Sequence, residues 1–554
     1  MNEKKSGSPL VADQNALERI FHRPEDEQSR DVLTKYMEQI LFGLHDFLQK
    51  HVGITEEIPL KELALRFTES KIARTPIKKL ADVITEIIEE IAPQAVNVSS
   101  PYFIGHMTSA IPFFMVHLST IVAALNQNPV KIETSKVVSV YERQVLAKVH
   151  RLLFDLDDSF YTTHIQRPES TLGAFVEDGT LANLTALWVA RNRLLPATEK
   201  LAGAERDGVA RAMRDRGLTG LKILVSELGH YSIRKSVGVL GLGHEAVTPI
   251  PVDSANRIDL QMLEHALMKY RRDPETAVMA VIGIAGTTET GAVDPLPAIA
   301  RLCDEYAVHF HVDAAWGGAV LLSERYRGLL QGIESADSVT IDGHKQFYLP
   351  MSNGMVYFRD PQAMDGVAYN ATYINRPGSV DLGIRSLVGS RAATCLVLGS
   401  ALDIMGAGGY ALLIDHGIEI ARIFARKISR RPMFELITPP ALNILTYRLV
   451  PEGLGDAQPE TSAATIDNDA RLRLLNSINI KVQRIQREAG KSFVSRTTLR
   501  RSGRAEVVVL RVVLMNQRTT PDILDTILDE QEDIYLNQVA PTLVRAESDL
   551  IAET

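Results

Sequence analysis

The sequence predicts an α/β fold built on a large, mainly parallel sheet, and three observations carry that expectation. Between about residues 130 and 360, short apolar runs alternate with longer stretches of helical periodicity. Two of those runs end directly on residues that can do chemistry, an aspartate and the segment DGHK. Beyond about residue 400 the alternation gives way to two helical patterns flanking strand-like runs. Alternating strands and helices mean βαβ units, and ligands of such sheets sit beyond the carboxyl ends of the strands.

Taken in order, residues 1–28 read as a flexible tail and 29–129 as a helical N-terminal segment. Leu33, Tyr36, Met37, Ile40, Leu41, Leu44 and Leu48 recur at helical spacing, which suits an arm that packs on another subunit. The short apolar stretch Ile111–Leu125 reads as a buried helix. Residues 130–395 form the large domain. Its expected strands are KILVS (222–226), VMAVIGI (278–284), VHFHVDA (308–314), SVTID (338–342) and MVYF (355–358). Helices are expected over 181–195 and 296–307. Residues 396–554 read as a small α+β domain with strands over 444–450 and 505–516 and a loop over 452–464.

The chain has 554 residues, 45% hydrophobic and 23% charged, which is ordinary globular composition. A net charge of −8 argues against a general nucleic-acid binder. Two distant cysteines, Cys303 and Cys395, make neither a disulfide framework nor a zinc site, and fit a reducing cytoplasm. The polar start lacks a signal peptide's apolar stretch, and no apolar run reads as long enough to span a bilayer.

The strongest chemical signal is Asp313, at the end of VHFHVDA, with Lys345 following 32 positions later, just past SVTID. Taken singly, each reads as a surface or capping residue. Together, two strand ends can bring an acid and a lysine to one ligand. A lysine amine forms a Schiff base with an aldehyde. A carboxylate can keep a pyridine nitrogen protonated, so that the ring accepts electrons. That pair of requirements points to pyridoxal 5′-phosphate (PLP). In GAFVEDGTLANLTAL (173–187), Gly179 and Thr180 open a helix whose amides suit a phosphate, although such turns often only cap helices. His230, just past a strand end, can stack on a ring and move protons, or simply pack. Thr287 and Thr288 end another run, where their hydroxyls serve either a cofactor or a turn.

These pieces, DGTLANLTAL, GHYSIRKS, AGTTETGAVDPL, HVDAAWGG and DGHK, resemble the group II PLP-dependent amino-acid decarboxylases in family order over about residues 100–400, and LRVVLMNQRTTPDILDTIL (510–528) resembles the family's last domain. The resemblance implies fold type I and a homodimer with sites at the subunit interface. It makes Lys345 the Schiff-base lysine, Asp313 the pyridinium partner and His230 the stacking histidine. Asp178, Gly179, Thr180 and His344 then surround the phosphate, and Thr287 lies near the ring or the lysine. The chain length, the long arm and the turn EDGT favour the aspartate branch. That branch converts L-aspartate to β-alanine and carbon dioxide for pantothenate, with glutamate as the alternative substrate.

GIRSLVGSR (383–391) resembles a family stretch whose arginine pairs with a substrate carboxylate; here that is Arg391, with Arg385 a weaker rival and a structural salt bridge the plain alternative. Aspartate and glutamate differ by one methylene, worth about 1–3 kcal/mol of discrimination. His106, Gln127 and Asn128 match substrate-side segments and can line the pocket, even from a partner subunit. The loop tyrosine that many members use to protonate the α-carbon is missing from 374–391, which leaves Tyr373, His230 or Lys345 as donor. Rivals are a PLP lyase or aminotransferase, a metal hydrolase using His309, His311 and Asp313, and an inactive scaffold. The hydrolase would leave AAWGG and DGHK idle, and the scaffold is disfavoured by the presence of Lys345 and Asp313. Arg496, Arg500, Arg501 and Arg504 read as a solvated hairpin, and no resident metal is expected.

Overall fold

The structure is a computed structural model that describes residues 27–49, 60–370, 379–454, 468–499 and 505–543. Most of the expected tail over 1–28, most of the 452–464 loop, Tyr373, Arg500, Arg501 and Arg504 lie outside the described residues.

Contacts group the chain into two units. The larger comprises residues 110–476 and 496–517 and holds a seven-stranded sheet. Its strands are β1 (Gly173–Val176), β2 (Gly220–Ser226), β3 (Val247–Ile250), β4 (Thr276–Ile284), β5 (His309–Asp313), β6 (Ser338–Asp342) and β7 (Gly354–Phe358), in spatial order β1-β7-β6-β5-β4-β2-β3. The run β3-β2-β4-β5-β6 is parallel, while β7 lies antiparallel to both β6 and β1. The parallel strands are buried nearly throughout, as a sheet covered on both faces requires.

The Gly179–Leu194 helix shows how the sequence builds this layer. Asp178 caps it by accepting the Leu181 amide. Leu184 and Leu187 pack with Ile223, Val225 and Ile282, while Ala182, Ala186 and Val189 meet Val176, Val356 and Phe358. A helix apolar on most sides is thereby wedged into the core. Leu187 is fully buried, so truncating it to alanine is expected to cost about 2–5 kcal/mol.

The same unit carries a four-stranded sheet, β8 (Phe434–Thr438), β9 (Ile444–Leu449), β10 (Ser495–Leu499) and β11 (Val507–Val513), in order β10-β11-β9-β8. Trp316 Nε1 donates to Asn443 Oδ1 at 3.0 Å, and the Tyr348 hydroxyl donates to the Met515 carbonyl at 2.8 Å. These bonds tie the small sheet to the loops at the carboxyl ends of β5 and β6.

The smaller unit comprises residues 1–109, 477–495 and 518–554. It contains the Glu27–Gly43 helix and a short pairing in which the Phe493 carbonyl accepts the Ile104 amide and the Phe493 amide donates to the Tyr102 carbonyl, both at 3.0 Å, with Phe103 stacked on Phe493.

Two expectations are corrected. The 111–125 segment forms the Phe114–Leu125 helix but is not buried: Phe113 is 79% exposed, and Val116, Ile121 and Leu125 are also exposed. Only one face, at Met115, meets the core within a single chain. The sequence reading found no bilayer-length run, yet the Cys395–Arg430 helix is long and apolar enough by length and composition. Leu398, Tyr410, Ile414 and Phe424 on it are buried in the large unit, and Gly406 bends it at φ 60° and ψ 178°.

Candidate active site

The candidate site is assembled in the large unit where β5, β6 and the Gly179–Leu194 helix converge. Asp313 is the last residue of β5 and is buried. Its Oδ2 accepts from Asn183 Nδ2 at 2.9 Å and its Oδ1 accepts the Ala315 amide at 3.2 Å. Lys345 follows β6, and its Nζ lies 2.8 Å from Asp342 Oδ2, the last residue of that strand. Asp342 Oδ1 is buried without a hydrogen-bond partner. A Cβ at Gly179 would come within 2.9 Å of Asp342 Oδ2, so the lysine–aspartate pair sits directly against the start of the helix.

At that start Asp178 accepts the amides of Leu181 and Ala182 through its side chain and carbonyl. The amides of Gly179 and Thr180 have no partner among the described residues, which leaves two donors at the positive end of the helix. The backbone of Gly354, opening β7, closes on Asp178 so tightly that a Cβ there would approach the Asp178 carbonyl carbon to 2.6 Å.

His230 joins the two halves. Its imidazole is half-buried, and burial, the largest influence, lowers its pKa. The charges of Asp313, Lys345, Asp342 and Asp178 all act on it. Its Nδ1 lies 2.9 Å from the Ser232 hydroxyl. His344 Nδ1 lies 3.1 Å from the Asn353 carbonyl and 3.3 Å from the Asn353 amide, and its Nε2 lies 3.7 Å from Asp342. The buried Thr287 hydroxyl is engaged within its own turn, 2.7 Å from Thr290 Oγ1 and accepting the Ala292 amide.

The expected substrate residues are placed differently. Arg391 already holds a carboxylate: both terminal nitrogens pair with Glu142, NH1 at 2.6 Å, and the side chains are 7% and 1% exposed. This pair is the structural salt bridge that the sequence offered as the plain alternative to a substrate role for Arg391. Arg385 is likewise committed, to Asp365 and the Pro168 carbonyl. Asn128 Oδ1 accepts the amides of Val130 and Arg391, Gln127 donates to the Leu125 carbonyl, and His106 is exposed in the smaller unit. His309 and His311 both bond Ser338, and burial lowers the pKa of each to about 4. Among the described residues no three histidine, cysteine or acidic side chains cluster as metal ligands.

Three residues escaped sequence reasoning. Asn183 and Asp342 stand inside the quoted motifs but were passed over; a buried asparagine one turn into an apolar helix was the signal for the first. Arg511 is the lone charge in the apolar run VVVLRVV, and such a residue is usually paired and purposeful. Its NH1 donates to the Thr288 carbonyl at 3.0 Å, beside Thr287. Burial lowers the Arg511 pKa and raises that of neighbouring Glu289.

An amine, a carboxylate and a helix start with two uncommitted amides fit the aldehyde, the ring nitrogen and the phosphate that PLP would bring. The glycine at 179, where a Cβ would collide, is the cradle such a phosphate needs. Fold and site together define a fold-type I PLP enzyme.

Residues 65–450 match the pyridoxal-dependent decarboxylase conserved domain, and the chain belongs to that family. It is 43% identical over 525 residues to the aspartate 1-decarboxylase of Aliivibrio fischeri, covering 94% of each chain. It is 30% identical to the L-2,4-diaminobutyrate decarboxylase of Rhizobium meliloti, covering 81% of each. Its fold matches the crystal structure of mouse CSAD with a TM-score of 0.77 at 22% identity, covering 91% of this chain and 98% of that one.

Proposed function

We propose that this chain decarboxylates L-aspartate at its α-carboxyl group, giving β-alanine, a precursor of pantothenate, and carbon dioxide. The observation that carries the substrate is the 43% identity to an aspartate 1-decarboxylase along 94% of both chains. In this reading Lys345 holds the cofactor's aldehyde carbon and Asp313 faces its ring nitrogen. His230 lies against the ring, Thr287 lies near it, and Gly179 and Thr180, with Asp178 and His344 about them, receive the phosphate. When bound, PLP supplies an electron sink for the pair left behind as carbon dioxide departs.

The remaining work falls to the protein. Asp313 keeps a negative charge against the ring nitrogen. Asp342 holds the Lys345 ammonium beside the helix start until the cofactor arrives. Arg511, which donates to the Thr288 carbonyl beside the 287–292 turn, is the guanidinium assigned here to a substrate carboxylate. Lys345, His230 or Tyr373 returns a proton to the α-carbon.

A second copy of the chain is expected to cover the exposed apolar face of the Phe114–Leu125 helix, giving a homodimer, with Gln127 and Asn128 near the paired sites. Residues 130–395 serve as the cofactor-holding domain, and the protein works in the cytoplasm.

The test is product analysis with aspartate labelled at C1. Labelled carbon dioxide with stoichiometric β-alanine supports the reading. Faster turnover of glutamate, or an oxo acid as the main product, overturns the substrate or the reaction respectively.

A further inference from the structure

A carboxylate buried at the end of β5 needs donors to remain charged. Asp313 obtains its side-chain donor from Asn183, which is 1% exposed. The same Nδ2 also donates to the Ser232 hydroxyl at 3.1 Å. On its other side, Asn183 Oδ1 accepts from Thr340 Oγ1 at 2.7 Å and from His311 Nε2 at 2.9 Å. The amide therefore has all its bonding capacity engaged, and it cannot be turned over. A flip would set Oδ1 against the Asp313 carboxylate and an N–H against whatever proton His311 carries.

That one orientation orders every proton around it. His311 must carry its hydrogen on Nε2, so its Nδ1 accepts from the Ser338 hydroxyl at 2.9 Å. Ser338 in turn accepts from His309 Nε2 at 2.8 Å. On the other branch, Ser232 accepts from Asn183 and passes its own hydrogen to His230 Nδ1, which also faces the Ser232 amide at 3.4 Å. His230 then carries its hydrogen on Nε2. Donors run one way from His309 to Asp313, and aligned donors strengthen one another.

We infer that Asn183 is the positioning residue of the site: its amide holds Asp313 as an ionised acceptor and fixes the tautomers of His311 and His230. This rests on the reading of Asp313 as the acid facing the cofactor's ring nitrogen. The partners of Asn183 are Asp313, Ser232, His311 and Thr340, and it acts on the site through them.

The test uses full-length protein carrying Asn183→Leu, Asn183→Asp or Asp313→Asn. Three quantities are read: PLP affinity on reconstitution, the pH titration of the bound cofactor's visible absorbance, and the melting temperature without PLP. Losing a donor to a buried charge is expected to weaken PLP binding about tenfold to a hundredfold and to move the absorbance midpoint by about one pH unit in both Asn183 variants. Asn183→Asp, the isosteric change, decides the matter if Asn183→Leu fails to fold. Should Asp313→Asn perturb the absorbance while Asn183→Asp titrates and binds as wild type, Asn183 has no positioning role, though Asp313 keeps its own. Should Asp313→Asn itself leave affinity and absorbance unchanged, the reading of Asp313 falls first.

Discussion

Replacing Glu142 with glutamine separates the two roles open to Arg391. In the structure the carboxylate and the guanidinium are buried against each other, at 1% and 7% side-chain exposure, with both terminal nitrogens of Arg391 on Glu142. Burial works against the arginine's charge, and Glu142 outweighs it, so the guanidinium is held charged more firmly than usual. Breaking a buried pair by neutralising one partner strands the other charge, at a cost of about 3–5 kcal/mol. At roughly 2 cal/mol/K per residue, that loss lowers the melting temperature of a chain this size by about 3–4 °C. Removing both charges, as Glu142→Leu with Arg391→Met, should recover most of the loss, because buried pairs replaced by apolar groups are often neutral. The assay is chemical denaturation and thermal melting of wild type, Glu142→Gln, the double variant and Arg391→Met, with KM for aspartate measured on each. The reasoning predicts lost stability, recovery in the double variant and a KM within about twofold of wild type. A single Arg391→Met change that raises KM tenfold or more at unchanged stability would refute it and return Arg391 to the substrate.

Three further outcomes follow from the geometry. Gly179→Ala places a methyl 2.9 Å from the Asp342 carboxylate and 3.3 Å from Ala315 Cβ, so PLP affinity should fall about tenfold with little change in fold, as read by fluorescence titration. Arg511→Met should lower kcat/KM for aspartate about a hundredfold, mainly through KM, whereas equal kinetics would remove Arg511 from the substrate site. Stability should also fall as the solution is acidified. His150, His309 and His311 are buried with pKa values lowered to about 4, so below about pH 6.5 the unfolded chain binds protons that the native one does not. The stability they allow is complete above that pH and is lost as pH drops toward 4. Asp294 works the other way, because burial raises its pKa to about 7 and the native form takes up its proton first. The three imidazoles outnumber it, and denaturation curves between pH 5 and 7.5 check the sign.

Much of this molecule could be read from residue order because its core strands are apolar on both faces. The SVTID run is β6 from end to end, and VMAVIGI lies within β4. Strand ends that carry Asp313 and Lys345 were legible for the same reason, since parallel sheets present ligands there. Short strands escaped. β1 (GAFV) merges into the turn before its helix, and β3 (VTPI) carries a proline that argues against a strand unless it lies at an edge, which is where β3 sits. The Phe114–Leu125 helix was misjudged because an apolar pattern does not say which surface will cover it. The pairing of Arg391 could not be read, because its partner, Glu142, lies 249 positions away, beyond any local pattern. Arg511 and Asn183 were visible only as polar residues in apolar company, a signal whose meaning needs the partner in space.

The central claim is the covalent seat of the cofactor, and borohydride reduction of PLP-loaded protein followed by peptide mapping tests it most directly. A pyridoxyl adduct confined to the peptide bearing Lys345, and lost in Lys345→Ala, is the predicted result. An adduct on a different lysine, or none on protein that still releases carbon dioxide from aspartate, would contradict it.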